Sequence, residues 1–255
     1  MIVGIIGCGA IGTDVALVAD KMNEISKIYL HDIKNTASKK LNKKLKKAEI
    51  KSVKEFLKDV DFVIEAASQD AVVEYAVDIL TSGKDLIIMS VGCLFNNKFR
   101  EKIEKIARAN RCKIYIPSGA ICGIDGIISA SVDTIDEVTL VSTKPPLSLG
   151  KKYTKRTVVF DGNARNAVKK FSSNINVAAS LSLAGIGFDK TKVRIVADPV
   201  VTRISHRILA HGKFGRLRTE IENMPNPKNP KSSYMASLSA IATLKRIINP
   251  IQIGA

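Results

Sequence analysis

The stretch MIVGIIGCGAIGTDVALVAD, residues 1–20, sets three glycines between two different kinds of apolar run. The run IVGII (2–6) has strand character. The segment from Ala10 onward repeats its apolar residues at helical spacing. Gly7, Gly9 and Gly12 follow the order G-x-G-x-x-G, a weak signal alone but a dinucleotide fingerprint when it leaves a strand and opens a helix. Gly7 permits the tight turn, Gly9 lets the backbone approach a pyrophosphate, and Gly12 lets helix and sheet pack closely. The helix start, with Ala10 and Ile11, offers free amides to the phosphates.

Such a site needs an acidic residue about 20 positions on, at the end of the second strand, to accept from the adenosine ribose hydroxyls. Asp32 closes the run KIYLHD (27–32), 20 positions beyond Gly12. Lys34 tolerates a 2′-phosphate, so NAD and NADP both remain candidates. His31 faces the opposite side of the strand and reads as structural.

Further outward, apolar runs alternate with helical segments: DFVIEAA (61–67), a helix around DAVVEYAVDILTSG, DLIIMSVG (85–92), the amphipathic NKFREKIEKIARANR, and KIYIPSGA (113–120). The lysine-rich segment SKKLNKKLKKAEIK reads as one solvated helix. Nearly continuous apolar strands between helices predict a parallel sheet covered on both faces, a Rossmann-type doubly wound α/β domain over residues 1–117. Strand ends on the carboxyl edge of such a sheet line the cofactor crevice, which singles out Ala67, Ser68 and Gln69, then Ser90 to Gly92, then PSGAICGIDG (117–126).

The texture then changes. EVTLVST (137–143), RTVVF (156–160), KVRIVAD (192–198) and GRLRTEIE (215–222) read as strands, with helices at NARNAVKKF and NVAASLSLAG. That order predicts a second, α+β domain on a mostly antiparallel sheet over residues 118–232, serving substrate binding and oligomerisation. The proline-containing NMPNPKNPKSS (223–233) reads as a loop whose serines cap a final helix. That helix, within 233–255, is expected to pack back on the first domain.

Composition narrows the function. With 45% hydrophobic and 25% charged residues in 255, the chain reads as globular. No apolar stretch is long enough to span a membrane, and no signal peptide is evident, so a cytoplasmic location and no membrane partner are expected. The net charge of +16 raises nucleic acid as a partner, but the lysine segment lacks aromatic residues and only 5% of the chain is aromatic, which argues against it. Cys8, Cys93, Cys112 and Cys122 form no C-x-x-C pair, and the three histidines complete no zinc spacing, so no metal is expected.

A dinucleotide carries its own hydride chemistry, and the protein must add a proton carrier and cations for carboxylates. His206 in DPVVTRISHRI, flanked by Arg203 and Arg207, is the first choice for the proton. His211 in LAHGKFG is its rival.

The segments GCGAIG, EAASQDAV, SVGCL, PSGAICGIDG, STKPP, FSSNINVAASLSLAG, VADPVVTRISHRI, GKFGRLRTEIENMPNPKNPKSS and SLSAIATL resemble, in order and through nearly the whole chain, the L-aspartate dehydrogenases of archaeal and bacterial type. The combination of PSGAI, NINVAA and ENxPxPxNPK is the most specific part. The resemblance implies oxidation of L-aspartate by NAD or NADP to iminoaspartate, which hydrolyses to oxaloacetate and ammonia or feeds quinolinate formation in NAD biosynthesis. It implies a homodimer or higher homo-oligomer, cofactor contacts at Ala120 and Asn176, and His206 as the active-site residue. Arg203 and Lys231 are then the expected cations for the substrate carboxylates.

The chain also departs from the family pattern. Around the histidine the family reads close to R-N-x-H-E-I, whereas Ile204 and Arg207 stand here in place of Asn and Glu. An Arg beside the imidazole is expected to lower its pKa. Three other readings stay open: a related nicotinamide oxidoreductase on another small dicarboxylate or amino acid, a non-catalytic NAD(P) sensor, and the basic nucleic-acid binder.

Overall fold

A computed structural model describes residues 1–150, 152–171 and 175–254, with the side chains of residues 230 and 231 outside that description. The chain divides into two compact units, Met1–Pro117 with Ser237–Ile251, and Ser118–Ala236 with the residues from Gln252.

In the first unit β1 (Ile2–Ile6), α1 (Ala10–Ala19), β2 (Lys27–His31), α2 (Asn35–Asn42), β3 (Ala48–Ile50), α3 (Val53–Phe56), β4 (Phe62–Glu65), α4 (Gln69–Thr81), β5 (Asp85–Ile88), α5 (Asn97–Ala109) and β6 (Ile114–Tyr115) follow in turn. The six strands form one sheet in the order β3-β2-β1-β4-β5-β6, parallel throughout. Val3, Ile5, Ile28, Leu30, Val63, Ile64 and Ile87 are fully buried, as expected when helices cover both faces. The strand order reverses direction at β1, so the crevice outside the carboxyl ends of β1 and β4 is the place where such sheets bind ligands.

Two expectations are corrected here. The lysine-rich segment is not one helix: α2 ends at Asn42, and Asp20 Oδ1 accepts from the amides of Lys46 and Lys47 at 2.9 and 2.8 Å, turning the chain into β3. The run KIYIPSGA forms only the two-residue β6. Pro117, which has no N–H to give a ladder, sits just beyond it.

The second unit holds α6 (Ile124–Ala130), β7 (Ile135–Lys144), β8 (Thr157–Asn163), α7 (Ala164–Lys170), α8 (Asn176–Ala184), β9 (Lys192–Ala197), β10 (Ile204–Gly212), β11 (Gly215–Asn223), β12 (Pro225–Asn226) and β13 (Asn229–Ser233). The helix α9 (Tyr234–Ile248) begins there and continues into the first unit. The main sheet runs β11-β10-β7-β9-β8, antiparallel except for the parallel pair β7 and β9.

Helix α6 falls partly where a turn was expected, and β10 is the strand of this sheet missed in the sequence. It pairs with β7 on one side and β11 on the other, and Gly212 opposes Gly215 across the tight turn Lys213-Phe214. Its inward residues are Ile204, His206, Ile208 and Ala210, so a polar ring interrupts the apolar alternation that marks a half-buried strand. The expected loop over 223–233 contains the small β12–β13 hairpin. There Asn226, fully buried, accepts from the Lys228 amide at 2.8 Å.

Candidate active site

The glycine junction is built as its spacing requires. Gly7 holds φ +96°, and a Cβ there would lie 2.6 Å from the Ala66 carbonyl oxygen. A Cβ at Gly12 would fall 1.9 Å from the Gly7 oxygen, so the first turn of α1 touches the backbone leaving β1. Around Gly9 a Cβ would meet nothing within 4 Å. Gly9 caps α1 without a side chain, and no acidic residue stands in the first helical turn. These are the conditions for a diphosphate: open space over bare amides and a favourable helix dipole. The residues present therefore fit a dinucleotide.

Asp32 follows β2 and is clamped by the backbone. Its Oδ2 accepts from the Cys8 amide and its Oδ1 from the Lys34 amide, each at 2.7 Å. Each carboxylate oxygen keeps one lone pair for sugar hydroxyls. The clamp ties the acidic residue to the glycine turn itself. His31 packs edge-on against Tyr75, ring centroids 5.7 Å apart, facing away from Asp32.

A buried carboxylate sets the neighbouring loops. Glu65, at the end of β4 and 1% exposed, accepts from the amides of Ala67 and Ser90 at 2.7 and 2.9 Å and from Ser90 Oγ at 2.8 Å. Burial pushes its pKa up, and these donors pull it back. Ala67 and Ser68 are exposed at the crevice, and Ser68 caps α4 by accepting from the Ala71 amide at 3.2 Å. The Gln69 carboxamide lies over Gly92, where a Cβ would clash with it. Glu65 carries no motif; its signal was an acidic residue ending an apolar strand.

The second unit gathers a different chemistry at one end of the inner sheet face. His206 on β10 pairs with Ser142 on β7, and Ser142 Oγ and His206 Nδ1 share a hydrogen bond of 2.8 Å. The ring is 4% exposed. Lys144, two residues along the same face of β7, is 5% exposed. Burial first, and then repulsion from the Lys144 ammonium, lower the His206 pKa to about 3. Burial lowers Lys144 to about 8. The ring is thus neutral near pH 7 and Lys144 is mostly charged.

This corrects the expected electrostatics. The imidazole pKa is lowered, but not by Arg207. Alternation puts Arg207 on the outward face, where its guanidinium donates to both Glu220 oxygens at 3.0 and 2.8 Å. Arg203 lies in the bend just before β10, half exposed, with Nη1 4.0 Å from Glu222, and among the described residues no hydrogen bond or ion pair joins it to His206. The side chain of Lys231 lies outside the described residues. Sequence reasoning missed Lys144, although the alternation of Val138, Leu140, Ser142 and Lys144 is an inward pattern that predicts its burial.

Ala120 is buried, and its carbonyl accepts from Asn223 Nδ2 at 3.1 Å. Asn176 opens α8; residues 172–174 of the same motif lie outside the described residues. His211 is half exposed between Asp136 and Glu137, at 3.7 and 3.9 Å, remote in register from Ser142. Among the described residues no group of three or more His, Cys, Asp or Glu side chains is placed to hold a metal, and no helix is long and apolar enough to cross a membrane.

Comparison with known proteins also divides the chain near residue 120. Residues 7–117 match the family profile described as homoserine dehydrogenase, NAD binding domain, and residues 125–247 match that of aspartate dehydrogenase, C-terminal. An L-aspartate dehydrogenase of Methanosarcina barkeri is 45% identical over 267 residues, spanning 99% of this chain and 98% of that one. One from Nitrosopumilus maritimus is 42% identical with the same coverage. The crystal structure of the aspartate dehydrogenase of Thermotoga maritima superposes with a TM-score of 0.84 at 33% identity, over 100% of this chain and 99% of that one. With full-length similarity on both sides of the domain division, the chain belongs to the L-aspartate dehydrogenase family.

Proposed function

We propose that the protein is an NAD-linked L-aspartate dehydrogenase, in which the first unit holds the coenzyme and the second handles substrate and proton. The observation that carries the reading is the neutral, buried His206 fixed by Ser142 beside the buried ammonium of Lys144. When bound, the dinucleotide supplies an acceptor for the Cα hydride. The chain supplies the rest. Lys144, rather than Arg203, attracts a substrate carboxylate. That carboxylate offsets the Lys144 charge and raises the proton affinity of the ring. With Nδ1–H donating to Ser142 Oγ, Nε2 keeps its lone pair and takes a proton from the amine or from attacking water.

NAD is the preferred coenzyme in this reading, because the carboxylate of Asp32 is fixed by two amides where a 2′-phosphate would have to sit. Ala120 and Asn176 serve the nicotinamide end. Assembly as a homodimer, a cytoplasmic location and a place in pyridine-nucleotide biosynthesis are proposed on the family likeness.

The test is spectrophotometric: reduction of NAD and of NADP with L-aspartate against a panel of amino acids and small dicarboxylates. Turnover with L-aspartate is expected, faster with NAD. Binding of coenzyme without turnover on any of them would favour a sensor. The variant His206→Ala should lose roughly a hundredfold or more in kcat while coenzyme affinity survives.

A further inference from the structure

Asn223 is the last residue of β11, 3% exposed and paired in register with Ile204. Its side chain belongs to the inner face that carries His206 and Lys144. A carbonyl can only accept, so the bond to the Ala120 oxygen identifies the anchored end of the carboxamide as the NH2 group. That fixes the orientation, and Oδ1 is the end turned away. Among the described residues this oxygen is buried with no hydrogen-bond donor. A buried acceptor left without a donor is costly and calls for an explanation in a native fold. Its register partner Ile204 is apolar and cannot donate.

We propose that Asn223 Oδ1 is the acceptor for the α-amino group of the substrate, an inference that rests on the dehydrogenase reading above. The ligand chemistry follows from what the oxygen can bind. Carboxylates only accept, so a dicarboxylate satisfies Asn223 only if its Cα carries a donor, an N–H or an O–H. The amine of L-aspartate does, and the imine that forms on its oxidation still has N–H to give. Oxaloacetate has none. Lys144 recognises that a ligand is an acid, and Asn223 recognises that it carries a hydrogen-bond donor on Cα, as L-aspartate does and succinate and oxaloacetate do not. Anchoring on Ala120 makes the acceptor rigid, so little freedom is lost when the amine binds.

The experiment compares L-aspartate with succinate, which keeps both carboxylates and lacks the amine. Each is titrated calorimetrically into the wild-type protein and into Asn223→Ala, both saturated with NADH so that no hydride is transferred. The expected result is that Asn223→Ala weakens L-aspartate by at least about tenfold, while succinate and NADH affinities stay within about twofold. Asn223→Ser, whose hydroxyl can donate to the Ala120 oxygen and still accept, provides the reading if the alanine variant fails to fold: its shorter reach should weaken L-aspartate while succinate and NADH affinities stay within about twofold. Equal loss for both acids would make Asn223 a support for the Ala120 segment only and overturn the proposal. Loss of NADH affinity with the aspartate preference intact would assign the oxygen to the coenzyme carboxamide and overturn it too, as would no change in any affinity, or a wild type that does not distinguish the two acids. A wild type that binds NADH but neither acid would instead defeat the aspartate reading itself.

Discussion

The amide of Cys8 donates to Asp32 Oδ2 at 2.7 Å, so the residue between two phosphate-turn glycines also aims the carboxylate of the next strand end. The turn proposed to take the diphosphate and the carboxylate proposed to take the ribose are thereby mechanically one unit. Asp32→Ala is expected to weaken NADH by at least about tenfold through the lost sugar bonds. It should weaken NADPH much less, because the opposing carboxylate is gone as well. Fluorescence titration of both coenzymes checks this; parallel losses would show that Asp32 does not discriminate.

Lys144 gives the acid-binding step a pH signature. Its pKa is lowered to about 8, so the ammonium is lost as pH rises through that value. Succinate titrates nowhere in that range, and its affinity for the NADH-saturated protein should fall between pH 7 and 9.5. Lys144→Met should weaken succinate by about tenfold at pH 7 and flatten the profile.

His206 makes the fold sensitive to acid. Its folded pKa of about 3 lies below the ordinary 6.5, so in this window the unfolded chain binds more protons than the folded one. Its contribution to stability is complete above pH 6.5 and is lost as pH falls toward 3, by up to about 1.4 kcal/mol per pH unit. Urea unfolding at pH 7, 6 and 5 should show the decline, and His206→Gln should show a shallower one.

Glu65 holds the loops after β4 and β5 together. Glu65→Leu leaves the Ala67 amide, the Ser90 amide and the Ser90 hydroxyl without their acceptor. A loss of about 3 kcal/mol or more is expected. Weaker coenzyme binding should accompany it, read by thermal melting and NADH titration.

The first unit was legible because its strands are buried on both faces and read as uninterrupted apolar runs around a glycine motif. Where it was misread, one side chain decided: Asp20 ended the lysine helix by accepting from two amides beyond it. The second unit yielded four of its main-sheet strands but not β10, since His206, the residue proposed to carry the proton, is the one that breaks its apolar period. His206 and Asp32 were found as residue types at expected places. Lys144 and Asn223 were not, because a buried lysine or carboxamide acquires meaning only from the strand laid beside it. Ile204 and Arg207 proved unlike in consequence: Ile204 continues the inward row of β10, while Arg207 is spent on Glu220 outside.

Ser142 and His206 stand 64 residues apart in the chain, whereas Cys8 and Asp32 stand 24 apart. During synthesis the Asp32 clamp can therefore form while the Ser142–His206 pair is still unmade, since the ring finds its hydroxyl only after β8, α7, α8, β9 and then β10 have been made. A chain ended before β10 would hold the Asp32 clamp without the Ser142–His206 pair and without the Ser237–Ile251 part of the first unit, so both chemistries await the last helix.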